Sequence, residues 1–205
     1  MNPYQLYLVT DENIDTDAIT HIVATAIEGG VTMVQLREKK ASTRQFLTKA
    51  QALKRVTADA GVPLIINDRV DIALAVDADG VHLGQSDMPV KKARELLGPE
   101  KLIGLSIESE SQLADVSNEP LDYIGLSAIF ATNTKTDTIK AWGLDGLKHA
   151  VAMSPVPVVA IGGINETNIS DIYRTGAHGA ALVSAICSAQ DPAAASRTLK
   201  LKMPE

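Results

Sequence analysis

Short, nearly continuous apolar runs rich in β-branched residues recur along the whole chain. They read Leu6 to Val9, Val31 to Leu36, Val62 to Ile66, Gly80 to Leu83, Leu102 to Leu105, Tyr123 to Leu126, Val156 to Ile161 and Ala180 to Val183. A run that is apolar on both faces is covered on both, as parallel strands beneath helices are, so each is predicted to be a strand. Between the runs the apolar spacing changes to three and four. Ile19, Ile22, Val23, Ala26 and Ile27 form one stripe, ended by Gly29-Gly30. Ser42 with Gln45 makes a capping box ahead of Phe46, Leu47, Ala50 and Leu53, and Ser109 with Gln112 repeats the device ahead of Leu113 and Val116. Asn165 is placed to cap the segment bearing Ile169, Ile172 and Tyr173, and Asp191-Pro192 opens the last helix. Eight strand–helix units in 205 residues predict a parallel α/β fold. A single (β/α)8 TIM barrel over residues 1–205 is the expected architecture, with a doubly wound open sheet as the alternative.

Composition narrows the function classes. Hydrophobic residues make up 45% and charged residues 21%, the balance of a soluble globular protein. A net charge of −6, from 19 Lys and Arg against 25 Asp and Glu, disfavours nucleic acid as the main partner. Any anion site must be a local gathering of cations. One cysteine, Cys187, excludes a disulfide framework and a cysteine-based zinc site, and fits a reducing compartment. No run reaches membrane-spanning length, and Met1-Asn2-Pro3-Tyr4 lacks a charged-then-apolar leader, so a cytoplasmic location is expected. Partners are expected to be small molecules, neither nucleic acid nor membrane; homo-oligomer formation is left open.

A barrel places its chemistry at the C-terminal ends of its strands, and there the unusual residues gather. Alternation puts Gln35, Arg37 and Lys39 on one side of the second strand's exit, two cations beside an amide. The bland alternative is that Arg37 and Lys39 are solvated charges paired with Glu38. Asp68 and Asp87 follow the third and fourth strands. Each is either an ordinary helix cap or, with the other, a ligand of a hard divalent cation such as Mg²⁺, which takes one or two carboxylates plus phosphate oxygens. His82 is either a hydrogen-bonded strand residue or a ligand contact. Thr132, Thr134 and Lys135 lie in a polar segment too long for a simple barrel turn, read as an anion grip or as an uninvolved loop. Gly162-Gly163 and Ser184-Ala185 follow the last two strands, the usual phosphate pocket of such barrels. A pyrophosphate needs the cationic set; a phosphate monoester is content with the backbone donors.

The ordered set Leu-Val-Thr-Asp (8–11), Gln-Leu-Arg-Glu-Lys (35–39), Ile-Asn-Asp-Arg (66–69), Asp-Gly-Val-His-Leu-Gly-Gln-Ser-Asp (79–87), Thr-Asn-Thr-Lys (132–135) and Ala-Ile-Gly-Gly-Ile (160–164) resembles the thiamine-phosphate synthase family over nearly the whole chain. The resemblance implies a TIM barrel that joins 4-amino-5-hydroxymethyl-2-methylpyrimidine diphosphate to hydroxyethylthiazole phosphate, or its carboxylate, and releases pyrophosphate. It implies that Arg37, Lys39, Asn67 and Lys135 hold the pyrophosphate and that Asp68 and Asp87 hold Mg²⁺. Gln35, His82 and Ser106 would contact the pyrimidine or its leaving group, with Lys135, Arg37 and Ser106 as the catalytic groups. Thr132 and Thr134 match thiazole-phosphate positions, and Gly162, Gly163, Ser184 and Ala185 would cradle that phosphate. The family carries Gly-Pro-Ile-Phe-Pro-Thr where this chain reads Ser127-Ala128-Ile129-Phe130-Ala131-Thr132, so the loop backbone is expected to be freer and Ser127 adds a side chain. Trp142 is a further departure. Three rivals stay open: a paralogue that only tautomerises the thiazole, a Schiff-base aldolase using Lys39 or Lys135, and a non-enzymatic phosphate-ligand sensor.

Overall fold

In the computed structural model, residues 2–131 and 141–204 are described. The strands are β1 (Leu6–Val9), β2 (Met33–Leu36), β3 (Leu64–Asn67), β4 (Gly80–Leu83), β5 (Leu102–Ile107), β6 (Tyr123–Ser127), β7 (Val158–Ile161) and β8 (Gly179–Leu182). The helices that alternate with them are α1 (Thr16–Glu28), α2 (Thr43–Asp59), α3 (Val70–Ala75), α4 (Val90–Leu97), α5 (Glu110–Asp115), α6 (Gly143–Met153) and α7 (Ile169–Arg174). After β8 come the short α8 (Ser184–Cys187) and α9 (Pro192–Leu201). The strands pair in parallel and in chain order, and β8 returns to β1 to close the barrel. Closure removes the open-sheet alternative.

Three predicted strands begin too early. Val31 and Val62 donate their N–H groups to Ala26 and Thr57, completing the C-terminal turns of α1 and α2, and Val156 donates to the Ser154 hydroxyl. The capping signals fare better. Ser42, Ser109 and Asp191 each accept from an N–H of the first turn, and Ser42 with Gln45 forms both halves of its box; Asp15, not singled out in the sequence, caps α1 in the same way. Gln112 does not close the second box; its side chain accepts from the N–H of Glu108 at 2.7 Å instead. Asn165 is not the cap of α7, a position held by Asn168. Its side chain is taken by the N–H and hydroxyl of Thr167, and its carbonyl accepts from Asn168 and Ile169, which makes it the start of the preceding turn.

Alternation along the strands divides the core in two. One face, with Leu6, Leu8, Val34, Leu36, Leu64 and Ile66, packs against the helices. The other fills the lumen with Tyr7, Val9, Met33, Ile65, Tyr123, Val159 and Ala181. Two lumen positions must be glycine. A Cβ on Gly104 would lie 2.2 Å from Tyr123 Cζ and 2.5 Å from His82 Nδ1, and one on Gly125 would lie 2.9 Å from His82 Cε1. The missing side chains make room for an aromatic ring and an imidazole inside the barrel.

Candidate active site

The cationic segment is held from beneath. Thr10, buried after β1, donates its N–H to the Gln35 carbonyl at 2.9 Å and accepts from the N–H of Arg37 on its hydroxyl at 3.0 Å. β2 therefore stays extended past Leu36, and its side chains keep alternating. Glu38 turns inward and forms a buried ion pair with Lys49 of α2, whose ammonium also donates to the Ile14 carbonyl at 2.9 Å. The alternative in which Glu38 neutralises Arg37 and Lys39 is thereby removed. The Lys39 ammonium instead meets Asp68 Oδ2 at 2.5 Å, while its N–H donates to Glu12 Oε2 at 2.9 Å. The bond from that N–H holds the Glu12 carboxyl below the usual range, helped by the positive charges of Lys40 and Arg37.

Neither aspartate is a helix cap. Asp68 adopts a left-handed backbone (φ 62°), a conformation that aspartate tolerates better than most residues. Its N–H donates to the His82 carbonyl at 2.8 Å, and Arg69 takes the cap position of α3 without a side-chain bond. Asp87 bends back so that Oδ2 accepts from the N–H of Gly84 at 2.7 Å, and the cap position of α4 falls to Pro89. Gly84 permits this, since a Cβ there would lie 2.9 Å from the same oxygen. The Asp87 carboxyl lies close enough to Asp68 to act on its ionisation. Burial pushes the Asp68 carboxyl up, Asp87 adds to the rise, and the Lys39 bond opposes it.

Beside them, the buried Asn67 leaves its Nδ2 without a hydrogen-bond partner among the described residues. An orphaned donor at the rim of a cationic mouth is suited to an absent anion. No cluster of three or more His, Cys, Asp and Glu suited to a metal occurs among the described residues. Two carboxylates are a donor set for a hard cation that completes its shell with water and substrate oxygens, and Asp68 with Asp87 fits Mg²⁺ in that sense.

Towards the lumen, His82 Nδ1 lies 3.0 Å from the Tyr123 hydroxyl and Nε2 lies 3.0 Å from Ser106 Oγ. Gln85 Nε2 donates to the Ser106 carbonyl at 2.7 Å. Gln35 Nε2 donates to the Tyr7 hydroxyl at 2.8 Å. Tyr7 and Tyr123 were not singled out in the sequence; the signal was there, because a tyrosine on the lumen face of a strand must find a partner for its hydroxyl.

On the far side, the segment after β6 is held rather than freed. Ile129 and Phe130 donate to the carbonyls of Ile161 and Gly162, and the backbone N–H of Trp142 donates to Ala128. The Trp142 indole donates to the Ser127 carbonyl at 3.2 Å, so this departure ties the exit of the segment to β6. The expectation of a freer backbone fails for residues 127–130, each of which has a backbone N–H or C=O bonded to β7, to Trp142 or to the start of α6. Gly162 and Gly163 both have positive φ, and a Cβ on Gly163 would lie 2.8 Å from the Ala131 carbonyl oxygen. The pairing of Ile161 with Ala181 puts this turn beside the β8 exit, where Ser184 and Ala185 open α8 with N–H groups lacking intrahelical acceptors. Thr132, Thr134 and Lys135 lie outside the described residues.

The fold and this rim define a (β/α)8 barrel whose mouth gathers cations and two carboxylates at the C-terminal ends of its strands, where such barrels carry their active sites. Residues 6–186 match the TMP-TENI family model, thiamine monophosphate synthase. The chain is 63% identical over 199 residues to the thiamine-phosphate synthase of Vibrio campbellii, covering 97% of this chain and 98% of that one. It is 53% identical to the thiamine-phosphate synthase of Albidiferax ferrireducens, over 96% of this chain and 90% of that protein. Among solved structures, the thiamine phosphate pyrophosphorylase from Pyrococcus furiosus superposes with a TM-score of 0.88 at 37% identity, covering 98% of this chain and 96% of that one. The chain belongs to the thiamine monophosphate synthase family. It is an enzyme, a transferase of thiamine biosynthesis.

Proposed function

We propose that the enzyme joins 4-amino-5-hydroxymethyl-2-methylpyrimidine diphosphate to hydroxyethylthiazole phosphate, or its carboxylate, giving thiamine phosphate and pyrophosphate. The observation that carries this reading is the Lys39–Asp68 ion pair beside the orphaned Asn67 amide, with Asp87 near enough to act on Asp68. Arg37, Lys39, Asn67 and Lys135 hold the diphosphate. Asp68 and Asp87 would hold Mg²⁺, which when bound neutralises charge on the diphosphate. The pyrimidine amino group donates electron density as the carbon–oxygen bond to the diphosphate breaks, and the thiazole nitrogen attacks the methylene cation so formed. The protein therefore needs no side-chain nucleophile. Its work is to stabilise the leaving anion by preorganised donors, hold the two rings in line and exclude water. Gln35, His82 and Ser106 face the pyrimidine or its leaving group. Gly162, Gly163, Ser184 and Ala185 offer neutral backbone donors to the thiazole's phosphate, to which the family resemblance also assigns Thr132 and Thr134, while the more highly charged diphosphate goes to the cations. The substrates are soluble small molecules, and no helix among the described residues is long and apolar enough to cross a membrane.

The test is to incubate the protein with both substrates and Mg²⁺, detecting thiamine phosphate by fluorescence after oxidation and pyrophosphate in parallel. Both products are expected in equal amounts and neither when one substrate is omitted. Thiazole isomerisation without coupling, or binding of both ligands without pyrophosphate release, would refute the proposal in favour of the tautomerase or the sensor.

A further inference from the structure

The lumen contains a continuous chain of polar groups from β2 to β5. Gln35 Nε2 donates to the Tyr7 hydroxyl at 2.8 Å. The hydroxyls of Tyr7 and Tyr123 lie 2.9 Å apart, Tyr123 reaches His82 Nδ1 at 3.0 Å, and His82 Nε2 reaches Ser106 Oγ at 3.0 Å. The tyrosines are 1% and 0% exposed, so water supplies neither hydroxyl with a partner. A buried hydroxyl proton left without an acceptor is strongly disfavoured, and this decides the direction of every link.

The two phenolic protons have two contacts to share. The contact between Gln35 and Tyr7 is already filled by an amide proton. One phenolic proton must lie between the two tyrosines and the other between Tyr123 and His82. If Tyr123 donated to Tyr7, the proton of Tyr7 would have no acceptor. Tyr7 therefore donates to Tyr123, and Tyr123 donates to His82 Nδ1. An imidazole accepting at Nδ1 is neutral and carries its proton on Nε2. That proton goes to Ser106 Oγ, and Ser106, having accepted, has its own proton to give. Ser106 is only partly buried at the β5 exit, and its hydroxyl has no second partner among the described residues. Its carbonyl is fixed separately by Gln85.

We propose that Tyr7 and Tyr123 are positioning residues of a one-way hydrogen-bond relay that holds His82 as the neutral Nε2–H tautomer and turns the Ser106 hydroxyl proton towards the barrel mouth. The same relay commits the Gln35 amide N–H₂ to Tyr7 and leaves its oxygen as the end available to a substrate donor. The kinetic consequence rests on the coupling reaction proposed above; the tautomer does not.

The experiment is long-range ¹H–¹⁵N correlation of imidazole signals in the full chain without substrates, near neutral pH. Four histidines make the spectrum tractable, and a His82→Gln variant identifies the signal of interest. The wild type should show His82 protonated on Nε2 alone. Tyr7→Phe should leave that signature intact, because Tyr123 still donates to Nδ1, whereas Tyr123→Phe should mix the two tautomers. In the coupling assay, Tyr123→Phe should lower kcat about tenfold, the equivalent of one lost hydrogen bond, with KM for the thiazole phosphate unchanged. An Nδ1–H tautomer or an imidazolium in the wild type overturns the relay, as does an equal response of the two phenylalanine variants. If Tyr123→Phe does not fold, the wild-type and Tyr7→Phe spectra still decide. An Nε2–H tautomer in a protein that forms no thiamine phosphate would uphold the relay and refute the reaction instead.

Discussion

Replacing Lys49 by methionine removes the ammonium that faces Glu38 and keeps much of the apolar stem. The side chains of the pair are 10% and 4% exposed, so water cannot take the lost partner's place. Leaving one member of a buried pair uncompensated costs about 3–5 kcal/mol. The bond from the same ammonium to the Ile14 carbonyl goes as well. In a chain of this size each kcal/mol moves Tm by about 2–4 °C, so Lys49→Met should melt roughly 6–20 °C below the wild type. Glu38→Gln should cost less, because an amide oxygen still accepts from Lys49. The double variant should melt above the sum of the two losses, since no buried charge remains. Glu38 lies between Arg37 and Lys39, so Lys49→Met, assayed below its melting temperature, should also weaken diphosphate binding while sparing the thiazole phosphate. Thermal melts of the three variants give the cycle. Strictly additive losses, or a Lys49→Met protein that melts with the wild type, would refute the claim that this pair anchors the cationic segment.

Gly104→Ala should destabilise by about 1–3 kcal/mol through overpacking. It should do so more than Gly125→Ala, because its Cβ would meet Tyr123 at 2.2 Å rather than His82 at 2.9 Å; urea midpoints in the reverse order would contradict the packing given for the lumen. Lys135→Ala should cut turnover by about a hundredfold with Tm unchanged, and equal turnover in the folded variant would remove Lys135 from the catalytic set. Burial pushes the Cys187 thiol from its ordinary 9.0 up to about 11, against the lowering effect of a hydrogen bond from the Asp11 backbone. The unfolded chain therefore loses that proton first, and the stability present below pH 9.0 falls as pH rises towards about 11. Cys187→Ala should lose that part of the slope, most visibly below the range where tyrosines ionise; an unchanged urea-midpoint profile would contradict it.

The barrel was legible because each strand run is apolar on both faces, a pattern that only a doubly covered parallel sheet requires. The rim was legible because Arg37, Lys39, Asp68 and Asp87 each follow such a run. What alternation could not reveal was competition for partners. Asp68 and Asp87 look like caps until the left-handed turn at Asp68 and the glycine at position 84 turn both inward. Glu38 looks like a partner for its neighbours until Lys49, far along α2, takes it. The Asn165 misreading has the same origin, since Thr167 claims its side chain before the helix begins. The loss of two prolines suggested a freer segment after β6. Bonds to β7 and to Trp142, distant in sequence, hold its first four residues, 127–130, instead.

The claim on which the account turns is that cations and two acids joined by a hard ion together receive the departing diphosphate. Calorimetric titration of inorganic pyrophosphate into the wild type, Asp68→Asn and Asp87→Asn, each with Mg²⁺ and with chelator, tests it most directly. The account predicts that Mg²⁺ tightens binding to the wild type and that either substitution abolishes the gain. Equal affinity with and without the ion, or a full gain in both variants, would contradict it.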